Sequence, residues 1–353
     1  MTDDKRPLFF DLRQEELLSR LLEWGQPSYR AQQIWQAVYQ QSIDDPEQMT
    51  TLPKDLRKQL NSSYRFTSLV PRRSQVSSDG ETRKTLYSLR DNHEIETVLM
   101  RYDERRTVCI STQSGCAMGC SFCATGQMGF RRNLTSGEIV EQVMVAKAEL
   151  HQHDERLTNI VLMGMGEPFA NYEAVMEAID RLHDPEGTNF GERRFTISTV
   201  GLVPEILRFA GEQRQINLAI SLHAATDELR SEILPINRRY GLDQLMDACR
   251  TYVDRTSRRI TFEWALIHGV NDGLEQADAF LHRVRGLRCH VNLIPLNPTH
   301  GYAAAPSEQT QVEAFQRRLL DHHVPCTIRL RRGIDIQAGC GQLASKHKGD
   351  TTK

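Results

Sequence analysis

Apolar residues recur along this chain first at helical spacing, then at alternating spacing, and then in regular alternation of the two. Over residues 12–24, Leu17, Leu18, Leu21 and Leu22 mark one face of an amphipathic helix that Gly25 and Pro27 stop. A second helix follows with Ala31, Ile34, Trp35 and Val38 inward, and a third, shorter one starts near Pro53. Residues 64–101 change character: Asp79-Gly80 and Asp91-Asn92 are turn signals flanking β-rich runs at 85–89 and 95–100. This predicts a helical unit over 1–63, a β-ribbon linker over 64–101 and a main body over 102–344.

From Val108 onward strands and helices alternate. Strands are expected at 108–112, 159–163, 194–199, 216–222, 260–266, 290–296 and 326–331. Helices fall between them near 136–150, 172–183, 203–211, 242–255, 275–286 and 307–322. The first of these turns Ile139, Val140, Val143, Ala146 and Leu150 to one face, and Thr135 with Glu138 forms a capping box. Repeated β-α units imply a parallel sheet with helices outside. Six units plus a seventh strand suit an α/β fold of the incomplete (β/α)6 TIM type, with chemistry at the C-terminal ends of the strands. Residues 345–353 read as a disordered tail.

Composition narrows the class without naming it. Lys+Arg 44 against Asp+Glu 46 leaves a net charge of −2, so any nucleic-acid contact needs a local basic patch. Eight cysteines in a long chain without a signal peptide point to metal binding or catalysis in a reducing compartment rather than to a disulfide scaffold. The N-terminus lacks an apolar targeting core, and no apolar run approaches the ~20 residues of a membrane span. A soluble, cytoplasmic protein is expected.

The stretch after the first strand of the main body contains Cys116, Cys120 and Cys123 in Cys-x3-Cys-x2-Cys spacing. Three thiolates with no obvious fourth do not close a structural zinc site. A cubane cluster takes one thiolate per iron, so three leave one iron open. That resembles the radical S-adenosylmethionine (SAM) superfamily, in which SAM chelates the open iron and an aromatic residue, here Phe122, precedes the last cysteine. The alternatives are a zinc site with a distant fourth ligand or a chance cluster.

Met163-Gly-Met-Gly-Glu-Pro168 follows the second strand. Its glycines, Gly166 among them, allow close backbone approach to a ligand, and Glu167 can pair with an ammonium group. Ser198, Ser221-Leu222-His223 and Asn297 fall at three further strand ends and suit a ribose and adenine site; each alone could equally be a satisfied hydroxyl or a cap. Cys249, Cys289 and Cys326 read as buried structural thiols. Cys340 sits in a glycine-flanked loop that can reach the barrel mouth, and Cys109 lies on the first strand. Paired arginines recur at 72–73, 131–132, 193–194, 238–239, 258–259 and 331–332; several could hold phosphates, although such pairs are usually solvated surface.

Taken together, Cys109 with the three-cysteine motif, the Gly126–Leu134 stretch, Gly-Met-Gly-Glu-Pro168, Ser221-Leu-His223, Pro295-Leu-Asn-Pro298 and Cys340-Gly resemble the RlmN/Cfr family of radical SAM RNA methyltransferases. The match spans nearly the whole chain, including Tyr29-Arg-Ala-Gln-Gln-Ile34. The resemblance implies methylation at C2 of an adenosine in 23S rRNA and, in some bacteria, of the adenosine beside a tRNA anticodon. It implies a [4Fe-4S] cluster on Cys116, Cys120 and Cys123, two SAM molecules per turnover, and SAM contacts from Gly166, Glu167, Ser198, Ser221, Leu222, His223 and Asn297. Cys340 takes a methyl group as S-methylcysteine. A 5′-deoxyadenosyl radical from the second SAM removes hydrogen from that methyl group, and the resulting methylene radical adds to adenine C2. Cys109 then releases the product by deprotonation and closes a disulfide with Cys340. Glu96 occupies the place of an acidic proton acceptor, with a solvent-facing strand glutamate as its plainer reading. A monomer reduced by an electron donor such as flavodoxin completes the expectation. The rivals are methylation at C8 of the same adenosine, a non-enzymatic iron–sulfur or zinc RNA-binding module, and a radical SAM enzyme of other chemistry.

Overall fold

A computed structural model describes residues 4–299, 301–329 and 332–344. The expected tail, 345–353, and positions 330–331 of the expected last strand lie outside the described residues. Three helices open the chain, α1 (Gln14–Glu23), α2 (Tyr29–Tyr39) and α3 (Lys54–Ser63). Their apolar faces meet around Phe9, which stacks on Phe66 at 4.6 Å between ring centres and meets Tyr64 edge-on.

The ribbon is not a free linker. β1 (Val70–Val76), β2 (Thr82–Ser88) and β3 (Glu94–Arg101) pair antiparallel, and β3 continues antiparallel onto β4 (Arg106–Cys109), with Val98 opposite Cys109. They are therefore the first strands of a ten-stranded sheet.

The stretch after the first strand of the main body carries its own hairpin, β5 (Gln113–Gly115) with β6 (Phe130–Asn133), around a short helix, α4 (Ala124–Gln127). The units then run α5 (Ser136–His151), β7 (Asn159–Leu162), α6 (Tyr172–His183), β8 (Phe195–Thr199), α7 (Val203–Glu212) and β9 (Asn217–Ser221). After β9 come α8 (Asp227–Ile233), which the apolar pattern did not single out, and α9 (Leu242–Thr256). β10 (Ile260–Leu266), α10 (Leu274–Arg283), β11 (Cys289–Pro295), α11 (Gln309–Asp321) and β12 (Cys326–Ile328) complete the chain order. β4 and β7 to β12 are parallel neighbours in sequence order, which is the incomplete barrel expected from the alternation. Helices cover the sheet, so its strands read as almost unbroken apolar runs. Trp264 of β10, for example, packs on Phe280 and Phe315 from α10 and α11. Among the described residues no helix is long and apolar enough to cross a membrane.

The helical unit is tied to the barrel by buried polar contacts. Trp35 Nε1 donates to Asp184 Oδ2 at 2.7 Å, and Asp11 Oδ1 accepts from Gly137 N in the first turn of α5 at 2.7 Å. Glu141 of α5 is buried and accepts from Ser68 N at 2.8 Å, from Leu69 N at 3.1 Å and from the Ser68 hydroxyl. Glu141→Ala would leave two buried N–H groups without an acceptor. The expected loss is ~2–4 kcal/mol of unfolding free energy in urea denaturation, with Glu141→Gln losing less.

Candidate active site

The C-terminal strand ends converge on one cavity, whose space is about 1010 Å³ with the open mouth included. Its lining includes Cys116, Cys120 and Cys123 on one side, Gly166 and Glu167 on another, Ser198, Ser221 and His223 along the rim, and Asn297 and Cys340 at the mouth. Ten residues singled out from sequence thus meet in one place. Leu222 is fully buried and outside the lining; its N–H donates to Glu263 O at 3.1 Å.

The cluster loop is held by its own backbone. Cys116 N donates to Gly129 O at 3.2 Å, Cys123 N to Cys120 O at 3.2 Å, and Ser121 N to Ile233 O at 3.0 Å. Burial pushes the Cys116 thiol up to about 12 and Cys120 well above the ordinary thiol range, with the other loop cysteines and Glu167 adding in the same direction. Thiols in that state await a cation that displaces their protons. Among the described residues no group of three His, Cys, Asp or Glu is drawn together as a metal site. Three thiols lining one cavity beside a buried carboxylate fit a cubane cluster, whose thiolates would be spread over separate irons.

Glu167 is placed by the turn before it. Gly166 has φ +103°, and a Cβ there would lie 2.6 Å from Cβ of Gln113, so the turn requires glycine. Gln113 Oε1 accepts from Glu167 N at 2.9 Å. The Glu167 carboxylate accepts from Phe169 N at 3.1 Å through Oε1 and from Val200 N at 2.9 Å through Oε2. Desolvation outweighs these bonds and raises its pKa to about 7. The Ser198 and Ser221 hydroxyls lie 3.4 Å apart on neighbouring strands. His223, at φ +61°, accepts from Ala265 N at 2.9 Å through Nδ1, and burial lowers its pKa to about 3. It is therefore a neutral ring with its proton on Nε2.

Cys340 is carried on the segment after β12, which returns over the mouth. Asn297 Nδ2 donates to Cys340 O at 3.1 Å, Ala124 N to Gly341 O at 2.7 Å, and Thr125 Oγ1 to Leu343 O at 2.6 Å. The thiol is exposed at the mouth, yet the protein around it raises its pKa, opposed by the Arg329 charge. Cys109 is buried at the end of β4 and lies outside the cavity lining. Its thiol is pushed up to about 12 by burial, with Cys340 adding in the same direction. Glu96 is also outside the lining and is buried, not solvent-facing. It pairs with Lys84 at 3.2 Å and accepts from Ala344 N at 3.0 Å, which ties it to the Cys340 segment. Burial raises its pKa despite Lys84.

Sequence reasoning missed Glu263 in the same lining. Asn292 Nδ2 donates to its Oε1 at 2.8 Å, while its buried Oε2 has no partner among the described residues. The available signal was a lone carboxylate inside the apolar run of β10, since a charge is seldom buried there without a task. Among the described residues no arginine of these pairs lines the cavity: Arg72 and Arg73 are exposed on β1, and Arg132 is paired with Asp91 and Glu138.

A thiol triad beside a buried carboxylate at the rim of an incomplete barrel defines a class. Residues 110–281 match the radical SAM superfamily, and residues 9–65 match the ribosomal RNA large subunit methyltransferase N-terminal domain. The chain is 50% identical to dual-specificity RNA methyltransferase RlmN 1 of Myxococcus xanthus, over 97% of this chain and 96% of the relative. It is 48% identical to a probable dual-specificity RNA methyltransferase RlmN of Chloroflexus aurantiacus, over 96% and 93%. A crystal structure of a radical SAM methyltransferase from Sphaerobacter thermophilus superposes with a TM-score of 0.94 at 51% identity, covering 96% of this chain and 99% of that one. The chain belongs to the RlmN family of radical SAM methyltransferases. Membership implies a [4Fe-4S] cluster and SAM as cofactors, and the donor set described above fits both.

The raised pKa of Glu167 has a consequence in the cofactor-free protein. An acid whose pKa is higher folded than unfolded favours folding below its unfolded value, near the usual glutamate range, and loses that advantage as pH rises to about 7. Relative to Glu167→Gln, wild type should therefore lose ~3 kcal/mol of stability between about pH 4.5 and 7.5, and the difference should be flat above that. Urea titrations of both proteins across this range check the sign and the window.

Proposed function

We propose that this chain methylates C2 of an adenosine in 23S rRNA, and also the adenosine beside a tRNA anticodon, through an S-methylcysteine at Cys340 and a transient Cys109–Cys340 disulfide. One observation carries the reading: Cys340 lines the same cavity as Cys116, Cys120, Cys123 and Glu167. The relatives' names, which specify dual-specificity RNA methylation, support an RNA substrate, and the N-terminal match supports ribosomal RNA as one of the two.

In this reading Cys116, Cys120 and Cys123 each hold one iron, and Glu167 faces the ammonium group of SAM. Gly166 lets the cofactor approach the backbone. Ser198, Ser221, Leu222, His223 and Asn297 form its ribose and adenine surroundings, with Leu222 contributing through its backbone. When bound, the cluster supplies the electron that cleaves SAM and yields a 5′-deoxyadenosyl radical. Adenine C2 is not nucleophilic, so ordinary displacement on SAM cannot methylate it.

Cys340 loses its proton and attacks the methyl carbon of a first SAM. The new carbon–sulfur bond forms as the sulfonium–methyl bond breaks, and S-adenosylhomocysteine leaves. A second SAM serves the radical half of the turnover. Cys109 takes the C2 proton as the adduct gives up its unpaired electron, which the bound cluster would take back. The Cys109 sulfur then displaces the methylene carbon from the Cys340 sulfur, and that carbon takes the proton to complete the methyl group. The two cysteines are left as a disulfide that an external dithiol must reduce. Glu96, buried and hydrogen-bonded to the Cys340 segment, is the further proton acceptor. The helical N-terminal unit grips folded RNA by shape and backbone. The enzyme acts as a cytoplasmic monomer reduced by a flavodoxin-type donor.

Mass spectrometry of anaerobically reconstituted protein, incubated with SAM, reductant and an rRNA fragment, tests this. The expected result is a methyl mark on the Cys340 peptide together with 2-methyladenosine in the RNA. Methylation at C8 would replace the assigned position. Cleaved SAM with neither mark would overturn the reading.

Cys109→Ala should let the RNA adduct form but not leave. A protein–RNA crosslink that accumulates on denaturing gels is expected, and normal turnover would remove the role given to Cys109.

A further inference from the structure

Arg230, on α8, has no solvent-accessible surface. Its guanidinium donates to Leu222 O at 3.2 Å, Val200 O at 2.6 Å, Ser221 O at 3.3 Å and Asn237 Oδ1 at 2.8 Å. All four acceptors are neutral. Carbonyl dipoles solvate a cation but do not cancel its charge, and a buried charge without a counter-ion is expensive. Desolvation pulls the guanidinium down to about 10, and Cys120, Cys249 and Asp227, in that order, act in the opposite direction.

The surroundings point the same way. Cys120 packs in one apolar cluster with Ile233 and Leu234, at the end of α8 that carries Arg230. Ser121 N donates to Ile233 O at 3.0 Å, and Leu234 N to Arg230 O at 2.7 Å, so cluster loop and helix are one hydrogen-bonded unit. Val200 and Ser221, whose carbonyls Arg230 grips, line the cavity with Cys120. A four-iron core in its oxidised resting state, bound by three thiolates, carries net negative charge, and reduction adds another.

We propose that Arg230 is the buried counter-charge of the iron–sulfur cluster, a positioning residue that favours the reduced cluster while holding the strand ends that cradle SAM. This rests on the reading that Cys116, Cys120 and Cys123 hold the cluster. Reduction increases the attraction between the cluster and a fixed cation that cannot move away or be screened by water, so the cation raises the reduction potential. The same attraction runs in reverse: the cluster relieves the electrostatic penalty that Arg230 carries in the cofactor-free protein.

The test is a redox titration, followed by electron paramagnetic resonance, of full-length reconstituted protein without SAM or RNA. In Arg230→Gln the ratio of reduced to oxidised cluster at the wild-type midpoint should fall about tenfold, a one-electron shift of ~59 mV. Arg230→Lys, which keeps the charge, should stay near wild type. Asp227→Asn removes the carboxylate that partly offsets Arg230 while keeping an oxygen acceptor for Leu242 N, and should move the midpoint upward. Loaded Arg230→Gln at the wild-type midpoint overturns the proposal. If Arg230→Gln does not retain its cluster, an unmoved midpoint in Asp227→Asn overturns it, and an upward shift supports it. Wild-type protein that takes up no four-iron cluster would sink the underlying reading too, whereas normal loading with unmoved midpoints sinks this inference alone.

Discussion

The site depends on hydrogen bonds that draw residues 332–344 back across the mouth of the barrel. The segment has no strand or helix of its own to hold it, so side chains and backbone groups of other elements satisfy its polar groups. Asn297 reaches the carbonyl of Cys340, α4 supplies Ala124 N and Thr125 Oγ1, and Glu96 accepts from Ala344 N. Lys84 adds a bond to Gln337 O at 3.0 Å, and Gln342 Nε2 one to Pro298 O at 2.9 Å. Each is modest alone. Together they hold Cys340 at the cavity, on a residue that is exposed overall. The segment is also the lid on the cluster loop, because two of its partners, Ala124 and Thr125, directly follow Cys123.

A second constraint is dryness. Glu167, Glu263, His223, Cys116 and Cys120 are all buried around this cavity, and in each case desolvation is the dominant influence on the pKa. The direction is always toward the neutral form: carboxylates and thiols go up, and imidazole goes down. A cluster and a sulfonium cofactor, which membership of the family implies, would supply partners for these desolvated groups.

Most of the barrel was legible because two periods alternate cleanly and the apolar runs of the strands are nearly continuous. The expected strands at 159–163 and 260–266 match β7 and β10 within a residue, and the capping box at Thr135 and Glu138 opens α5. Pattern failed where tertiary pairing decides. β1 is almost wholly exposed and alternates weakly, so nothing in it announces that the ribbon extends the main sheet. The hairpin of β5 and β6 is too short to leave a period. α8 has only two buried residues, Arg230 and Ile233, one of which is charged, so it gives no apolar stripe to read.

The chemistry divides in a similar way. The sequence alone determined the cysteine triad, the Gly-Met-Gly-Glu-Pro turn and the extra cysteines at 109 and 340, because thiol spacing and glycine turns are local and need few neighbours to be recognised. Only the tertiary structure decided that Cys340 shares a cavity with the triad while Cys109 and Glu96 lie outside its lining, that Glu263 lines it with a carboxylate oxygen that has no hydrogen-bond partner among the described residues, and that Arg230 is fully buried on a helix tied to the cysteine loop. Those relations join residues far apart in the chain. They are set by which strand ends meet and how completely water is excluded, and no local pattern records either.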